Sequence, residues 1–259
     1  MKNLLKEKLL KGEKCIGTFY VMGGSTAVEA LSYADMDFMI IDTEHGPYDI
    51  ESSQEFIRTA KLSGMTPCAR VKDHSRTSIL KMLDIGAEAL IIPCIETVEE
   101  VKKIVQYGKY FPLGRRGVAL GRAAGFGYKP FATENGLTGY FETCNRETML
   151  IPQCETLGVL ENIEEIAQIE GVDGIFIGPY DLSVALGKPG QFGDAEFKNA
   201  VDRVNKAVHA AGKFLFTFTG SVADTKRYFE EGIDAVTIST DIKLYIAAMK
   251  KTVEDIRQR

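Results

Sequence analysis

Five short stretches of this 259-residue chain carry residue types that do chemistry. They are Asp42-Thr43-Glu44-His45-Gly46-Pro47, Ala69-Arg70-Val71, Pro93-Cys94, Gln153-Cys154-Glu155 and Gly178-Pro179-Tyr180-Asp181. Two carboxylates such as Glu155 and Asp181 can hold a hard divalent cation. Mg²⁺ takes one or two carboxylates from protein and leaves the rest of its octahedron to water and substrate. An incomplete site of that kind suits a ligand that chelates through a carboxylate and a neighbouring carbonyl. Arg70 can present a planar fork to the same oxygen pair. His45 is one of three His in the chain and can serve as base. His74 and His209 read as structural residues. Plainer roles exist for each group: a carboxylate can cap a helix, and an Arg can sit in a surface ion pair. Their co-location on successive strand ends favours chemistry.

Those strand ends come from a regular alternation. Near-continuously apolar runs recur at Cys15–Tyr20, Phe38–Asp42, Thr66–Val71, Ala89–Ile92, Met149–Cys154, Gly174–Ile177, Phe214–Phe218 and Ala235–Ser239. Runs of this type suit parallel strands covered on both faces. Helical periodicity fills the gaps at Asp49–Ser63, Ser75–Ile85, Thr97–Tyr107, Ala195–Ala211, Asp224–Glu231 and Ile242–Ile256. Eight β-α units in about 250 residues predict a single (β/α)8 TIM barrel over residues 1–259. Residues just past the strands then share one mouth. A doubly wound nucleotide-binding sheet would need a Gly-rich phosphate turn, and neither G-x-G-x-x-G nor G-x-x-x-x-G-K-[ST] is present. Gly23-Gly24-Ser25 reads as a tight turn with Ser25 or Thr26 capping a helix.

Composition narrows the partners. Net charge is -5, with 45% apolar and 26% charged residues. An acidic balance argues against nucleic acid and against an anionic membrane. No apolar run reaches the ~20 residues of a membrane span. The opening MKNLLKEKLLKGEK lacks the continuous apolar stretch of a signal peptide, and Leu4, Leu5 and Leu9 predict a short amphipathic helix. Five Cys without a C-x-x-C suggest buried thiols in a reducing cytoplasm. One segment breaks the rhythm. Residues 112–148, between strands four and five, carry seven Gly and four Arg with weak periodicity. A segment of that length reads as a lid or substrate wall, with Arg116 and Arg122 as candidate anion contacts.

The sequence resembles the HpcH/HpaI aldolase family of metal-dependent pyruvate aldolases over roughly residues 1–255. The resemblance rests on four of the stretches above, all but Pro93-Cys94, together with Leu83-Asp84-Ile85-Gly86-Ala87, Pro112-Leu113-Gly114-Arg115-Arg116-Gly117 and the continuation Leu182-Ser183. It implies the phosphoenolpyruvate/pyruvate-binding barrel and a homohexamer whose C-terminal helix packs on or swaps with a neighbour. It also implies Glu155 and Asp181 as ligands of Mg²⁺, Mn²⁺ or Co²⁺. Arg70 would bind the oxo-acid and stabilise its enolate. His45 would be the base, held by Asp84. Gln153, the Gly178 amide and Pro179 would line the substrate. The expected reaction splits a 4-hydroxy-2-oxo acid into pyruvate and an aldehyde. The aldehyde stays open: succinic semialdehyde, tartronate semialdehyde, lactaldehyde or a range of them.

Three other readings compete. A Schiff-base aldolase would use Lys72, which alternates to the same side of its strand as Arg70. A citrate-lyase-like enzyme acting on a CoA ester would share the Arg and the acidic pair, but it resembles Glu44-His45-Gly46-Pro47 less. A non-catalytic oxo-acid-binding barrel would not need His45, Asp84, Arg70, Glu155 and Asp181 together.

Overall fold

The computed structural model describes residues 2–257. Helix α1 (Leu4–Leu10) precedes β1 (Cys15–Tyr20), α2 (Ser25–Ser32), β2 (Phe38–Asp42) and α3 (Ile50–Leu62). Then come β3 (Thr66–Arg70), α4 (Arg76–Asp84), β4 (Ala89–Ile92) and α5 (Val98–Gly108). An excursion follows, with a 3-10 turn (Arg122–Gly127), α6 (Pro130–Thr133) and α7 (Gly136–Glu147). The second half runs β5 (Met149–Cys154), α8 (Leu157–Glu161), α9 (Ile163–Gln168), β6 (Gly174–Ile177), α10 (Pro179–Ala185) and α11 (Ala195–Ala210). It closes with β7 (Phe214–Thr219), α12 (Val222–Glu230), β8 (Ala235–Thr240) and α13 (Asp241–Arg257). The strands pair in parallel, each with the next, and β8 returns to β1. This is the expected (β/α)8 barrel.

Both faces of the strands are buried, which explains their unbroken apolar character. One face packs on the helices through Met39, Ile41, Leu90, Leu150, Ile175 and Leu215. The other fills the barrel interior with Phe38, Ile40, Ile91, Ile151, Phe176 and Phe216. Gly17 is required inside, because a Cβ there would lie 2.5 Å from the Phe38 ring. Helix α1 plugs the N-terminal end of the barrel with Leu5 and Leu9. Asn3 caps it, and the Asn3 amide also donates to the Glu88 and Glu147 carbonyls. Leu4 is not on the buried face; it is half exposed, because it sits one residue ahead of the Leu5–Leu9 stripe. The turn at Gly23-Gly24 is present with φ near +83° and +84°, but Gly24 itself occupies the N-cap of α2, and no side chain caps it.

The excursion lies elsewhere than expected. A crossover helix runs back from the mouth, so α5 ends and β5 begins at the N-terminal end of the barrel. Residues 109–148 therefore sit at the end opposite this chain's own mouth and cannot wall it. Their clamp is Lys109, buried and bonded to Asp173 at 2.8 Å, to the Asn145 carbonyl at 3.0 Å and to the Thr148 carbonyl at 2.5 Å. Burial works against that ammonium, and Asp173 supports it. Lys109→Ala should cost about 3–5 kcal/mol, the range for breaking a buried ion pair. Urea denaturation measures it, and a loss below about 1 kcal/mol would show that the clamp is not structural.

Candidate active site

Asp42 closes β2 and is buried at the mouth. Its Oδ1 accepts the amides of Glu44 (3.2 Å) and His45 (3.3 Å), which folds the following turn back over the strand. Gly46 makes that turn possible, since a Cβ would sit 2.1 Å from the Asp42 carbonyl oxygen. Asp42 also grips Arg70 at the end of β3. Nε donates to Oδ1 at 3.0 Å and Nη2 to Oδ2 at 2.7 Å. Nη1 lies 3.0 Å from Glu44 Oε2, and the guanidinium carbon stands 4.8 Å from the Phe19 ring centre. Burial opposes the Arg70 charge, but Asp42, Glu44 and Glu155 outweigh it and hold the pKa above the ordinary value. The fork is thus fixed in direction and fully charged.

Glu155 follows β5 and is also buried. Its Oε1 accepts the Cys94 amide at 2.7 Å, and its Oε2 accepts the Gln153 amide nitrogen at 2.8 Å. Cys94 adopts φ +57°, a conformation that costs a non-glycine residue about 1–2 kcal/mol. In this conformation its N–H is directed at the carboxylate. Gly178 allows the close approach of β6, because a Cβ would lie 2.8 Å from Glu155 Oε2. Its own amide is already donated to the Cys154 carbonyl at 3.2 Å. Asp181 stands in the first turn of α10, exposed to the mouth.

Burial pushes the Glu155 carboxyl up to about 7, with Glu44 and Asp181 adding to the effect against the Cys94 N–H and Arg70. A buried acid raised in this way is a place where a cation is favourable. The donors fit a hard ion: two carboxylates, plus the Gln153 Oε1, which is buried without a partner. Among the described residues no cluster of three or more His, Cys, Asp or Glu could hold a metal by itself. Two carboxylates and one amide oxygen would leave coordination positions to substrate and water.

The mouth is a cleft of about 430 Å³. It brings together His45, Arg70, Gln153, Gly178, Pro179 and Asp181, with Asp42 behind them. Asp84 is not among its lining residues. As the last residue of α4 it lies at the N-terminal end of the barrel, paired with Arg116 at 2.9 Å. Arg116 itself is buried over the Tyr110 ring, and Arg122 donates to the Ile85 carbonyl at 2.8 Å. Neither Arg faces this mouth. Lys72 is exposed and lines a different cleft with Tyr48 and Lys81. Of the five thiols, Cys15, Cys68, Cys144 and Cys154 are buried as expected. Cys94 is exposed, with its Sγ 3.5 Å from Glu44, and burial followed by Glu44 pushes that thiol up to about 11.

Sequence reasoning missed the other half of the mouth. Phe19, Val21, Phe218 and Thr240 come from the ends of β1, β7 and β8, and Lys243 comes from α13. The cleft is thus polar on the β2–β6 side, and on the β7–β8–β1 side Phe19, Val21 and Phe218 are apolar while Thr240 and Lys243 are polar. Thr240 Oγ1 is buried there without a partner.

A (β/α)8 barrel with a charged fork, an imidazole and an acidic pair at its C-terminal mouth has the layout of an enzyme. The sequence matches the family model for HpcH/HpaI aldolase/citrate lyase over residues 16–248, and the chain belongs to that family. It is 30% identical to a hydroxypyruvate/pyruvate aldolase of Cupriavidus necator, covering 99% of this chain and 93% of the relative. It is 31% identical to a 2-keto-3-deoxy-L-rhamnonate aldolase of Klebsiella pneumoniae subsp. pneumoniae, covering 97% and 92%. An HpcH/HpaI aldolase structure from Desulfitobacterium hafniense DCB-2 superposes with a TM-score of 0.91 at 28% identity, covering 99% of this chain and 98% of that one. The chain is accordingly a carbon–carbon lyase of the aldolase type. No helix among the described residues is long and apolar enough to cross a membrane.

Proposed function

We propose that this enzyme is a divalent-metal-dependent aldolase that reversibly splits a 4-hydroxy-2-oxo acid into pyruvate and an aldehyde. One observation carries the reading: the Asp42-fixed Arg70 fork faces the same cleft as His45, Gln153 and Asp181, and the buried Glu155 carboxylate is bonded to Gln153 at the wall of that cleft. Glu155 and Asp181 would hold the cation, with Gln153 beside them. Mg²⁺, Mn²⁺ and Co²⁺ all suit such oxygen donors. When bound, the ion supplies Lewis-acid polarisation of the 2-oxo group.

The chain's own residues do the rest. Arg70 has N–H groups beyond those given to Asp42 and Glu44, and these bind the oxo-acid oxygens. His45 takes the proton from the C4 hydroxyl. The C3–C4 bond breaks, the aldehyde leaves, and the bond pair becomes the pyruvate enolate. Arg70 faces the oxygen on which that charge develops, so it favours the transition state over the ground state. His45 then returns the proton to C3. The apolar side of the cleft receives the aldehyde half.

Neither ring nitrogen of His45 has a hydrogen-bond partner among the described residues; only its backbone amide is anchored. Asp84 can orient His45 only from another subunit, since within one chain the two residues lie at opposite ends of the barrel. In this reading the enzyme works as an oligomer, and the hexamer implied by the family resemblance would supply the interface.

The test is a metal-supplemented aldol screen. Pyruvate or hydroxypyruvate is mixed with a panel of aldehydes and the product identified by mass; no product with any aldehyde overturns the reading. His45→Ala should lower kcat by ~10²–10⁴. Full activity in that variant would remove His45 as the base.

A further inference from the structure

At the N-terminal end of the barrel, opposite the mouth, lies a second pocket of about 480 Å³. The end of α3, the turn before β4 and the 3-10 turn of the excursion enclose it. Arg58, Lys61, Arg122 and Lys129 line it, with Glu88 as the one lining carboxylate. Glu88 is buried and consumed by an ion pair with Lys61. Among the described residues, Arg58, Arg122 and Lys129 have no carboxylate within ion-pair distance. Arg122 has only the Ile85 carbonyl, at 2.8 Å. Three uncompensated cations converge in a chain whose net charge is -5.

The backbone makes room for them. Gly86 has φ +106°, and a Cβ on it would lie 2.5 Å from Arg122 Nη1. Gly125 has φ +60°, and its Cβ would lie 2.5 Å from Lys129 Cγ. The next residue, Phe126, holds φ +57° with its ring exposed at the pocket. Burial and the neighbouring Arg58 both press against the Arg122 charge, and burial, then Lys129 and Arg122, press against that of Lys61. Like charges gathered at such cost are relieved by an anion. Two guanidinium forks match a tetrahedral oxyanion. The surplus of cations matches a dianion, and Leu62 and Phe126 offer apolar walls to an organic body.

We propose that this pocket binds a phosphate group, free or as a phosphomonoester, at a site separate from this chain's own aldolase mouth.

The test is calorimetry on the metal-loaded protein at constant ionic strength, with pyruvate saturating the mouth. Inorganic phosphate, glucose 6-phosphate and glucose are the probes. Both phosphates should bind and raise Tm, by about 3–6 °C at roughly ten times Kd, whereas glucose should do neither. Tighter binding of glucose 6-phosphate would identify an organic phosphate as the source, and equal binding inorganic phosphate. Lys129→Gln and Arg58→Gln, which remove no contact within the fold, should each weaken binding by roughly tenfold. Failure of both phosphates to bind, as when a neighbouring copy's acidic side chain fills the pocket, would overturn the proposal. So would unchanged affinity in both variants. The readout is binding, so it stands or falls apart from the aldol activity.

Discussion

Arg70→Lys should lower kcat/KM for aldol cleavage by ~10²–10³, the loss seen when one fixed transition-state donor is removed. The substitution keeps the charge but destroys the fork. Lysine has a single nitrogen at the end of a flexible stem. It can satisfy Asp42 or the substrate, whereas the guanidinium spans Asp42 through Nε and Nη2, meets Glu44 through Nη1 and still has N–H groups left for the substrate. Arg70→Ala should lose more activity and also stability. Asp42 is buried, and without its partner it becomes an unpaired buried charge at a cost of about 3–5 kcal/mol. The two variants separate the roles. In Lys the loss should fall mainly on turnover with a near-normal denaturation midpoint; in Ala both should drop. If Arg70→Lys retained wild-type kcat/KM, the fork would have no part in the transition state.

Removal of divalent metal should have an effect at least as large. With Lewis-acid polarisation worth several kcal/mol, dialysis against EDTA should cut the rate by ~10³ or more. Addition of Mg²⁺, Mn²⁺ or Co²⁺ should restore it. Glu155→Gln should bind metal weakly and resist that rescue, because it replaces a buried anion, the group most favoured by a nearby cation, with a neutral amide. Asp181→Asn should weaken metal affinity as well. A Schiff-base enzyme would behave in the opposite way: EDTA would leave it active, and borohydride with pyruvate would trap an adduct at lysine. Lys72 is exposed and lines a different cleft, which agrees with the metal reading.

Much of this was legible in the sequence, and what was not has physical causes. Strands such as Phe38–Asp42 and Met149–Cys154 stood out because burial on both faces demands unbroken apolar runs. β7 and β8 each extend one residue further than expected, to Thr219 and Thr240, polar residues that an apolar pattern does not include. The polar half of the mouth was legible because Asp42, Arg70, Glu155 and Asp181 are conspicuous where strands end. The apolar half was not. Phe19 and Phe218 pack inside the barrel like Phe38 and Phe216, and only their depth along the strand makes them mouth residues. The Cys94 amide is a backbone group, which no side-chain pattern reveals. Helix α7 was hidden by Gly136 and Gly139 and by a short stripe, Tyr140 and Cys144, which packs locally on Tyr110 rather than on the sheet. The remoteness of Asp84 from His45 follows from the direction of α4, which the strand–helix alternation already contained.

The division of the mouth into two walls has a consequence for how such enzymes diversify. In the proposed mechanism bond cleavage belongs to one arc of the barrel, β2 through β6, where each group depends on its neighbours. The opposite arc contributes Val21, Phe218 and Thr240, of which Val21 and Phe218 take no part in the Asp42–Arg70–Glu155 lattice. Mutational drift there can change which aldehyde is accepted while the cleavage chemistry stays intact. New substrate ranges can therefore be reached by single steps that each leave a working enzyme, and libraries confined to that arc should be rich in active clones.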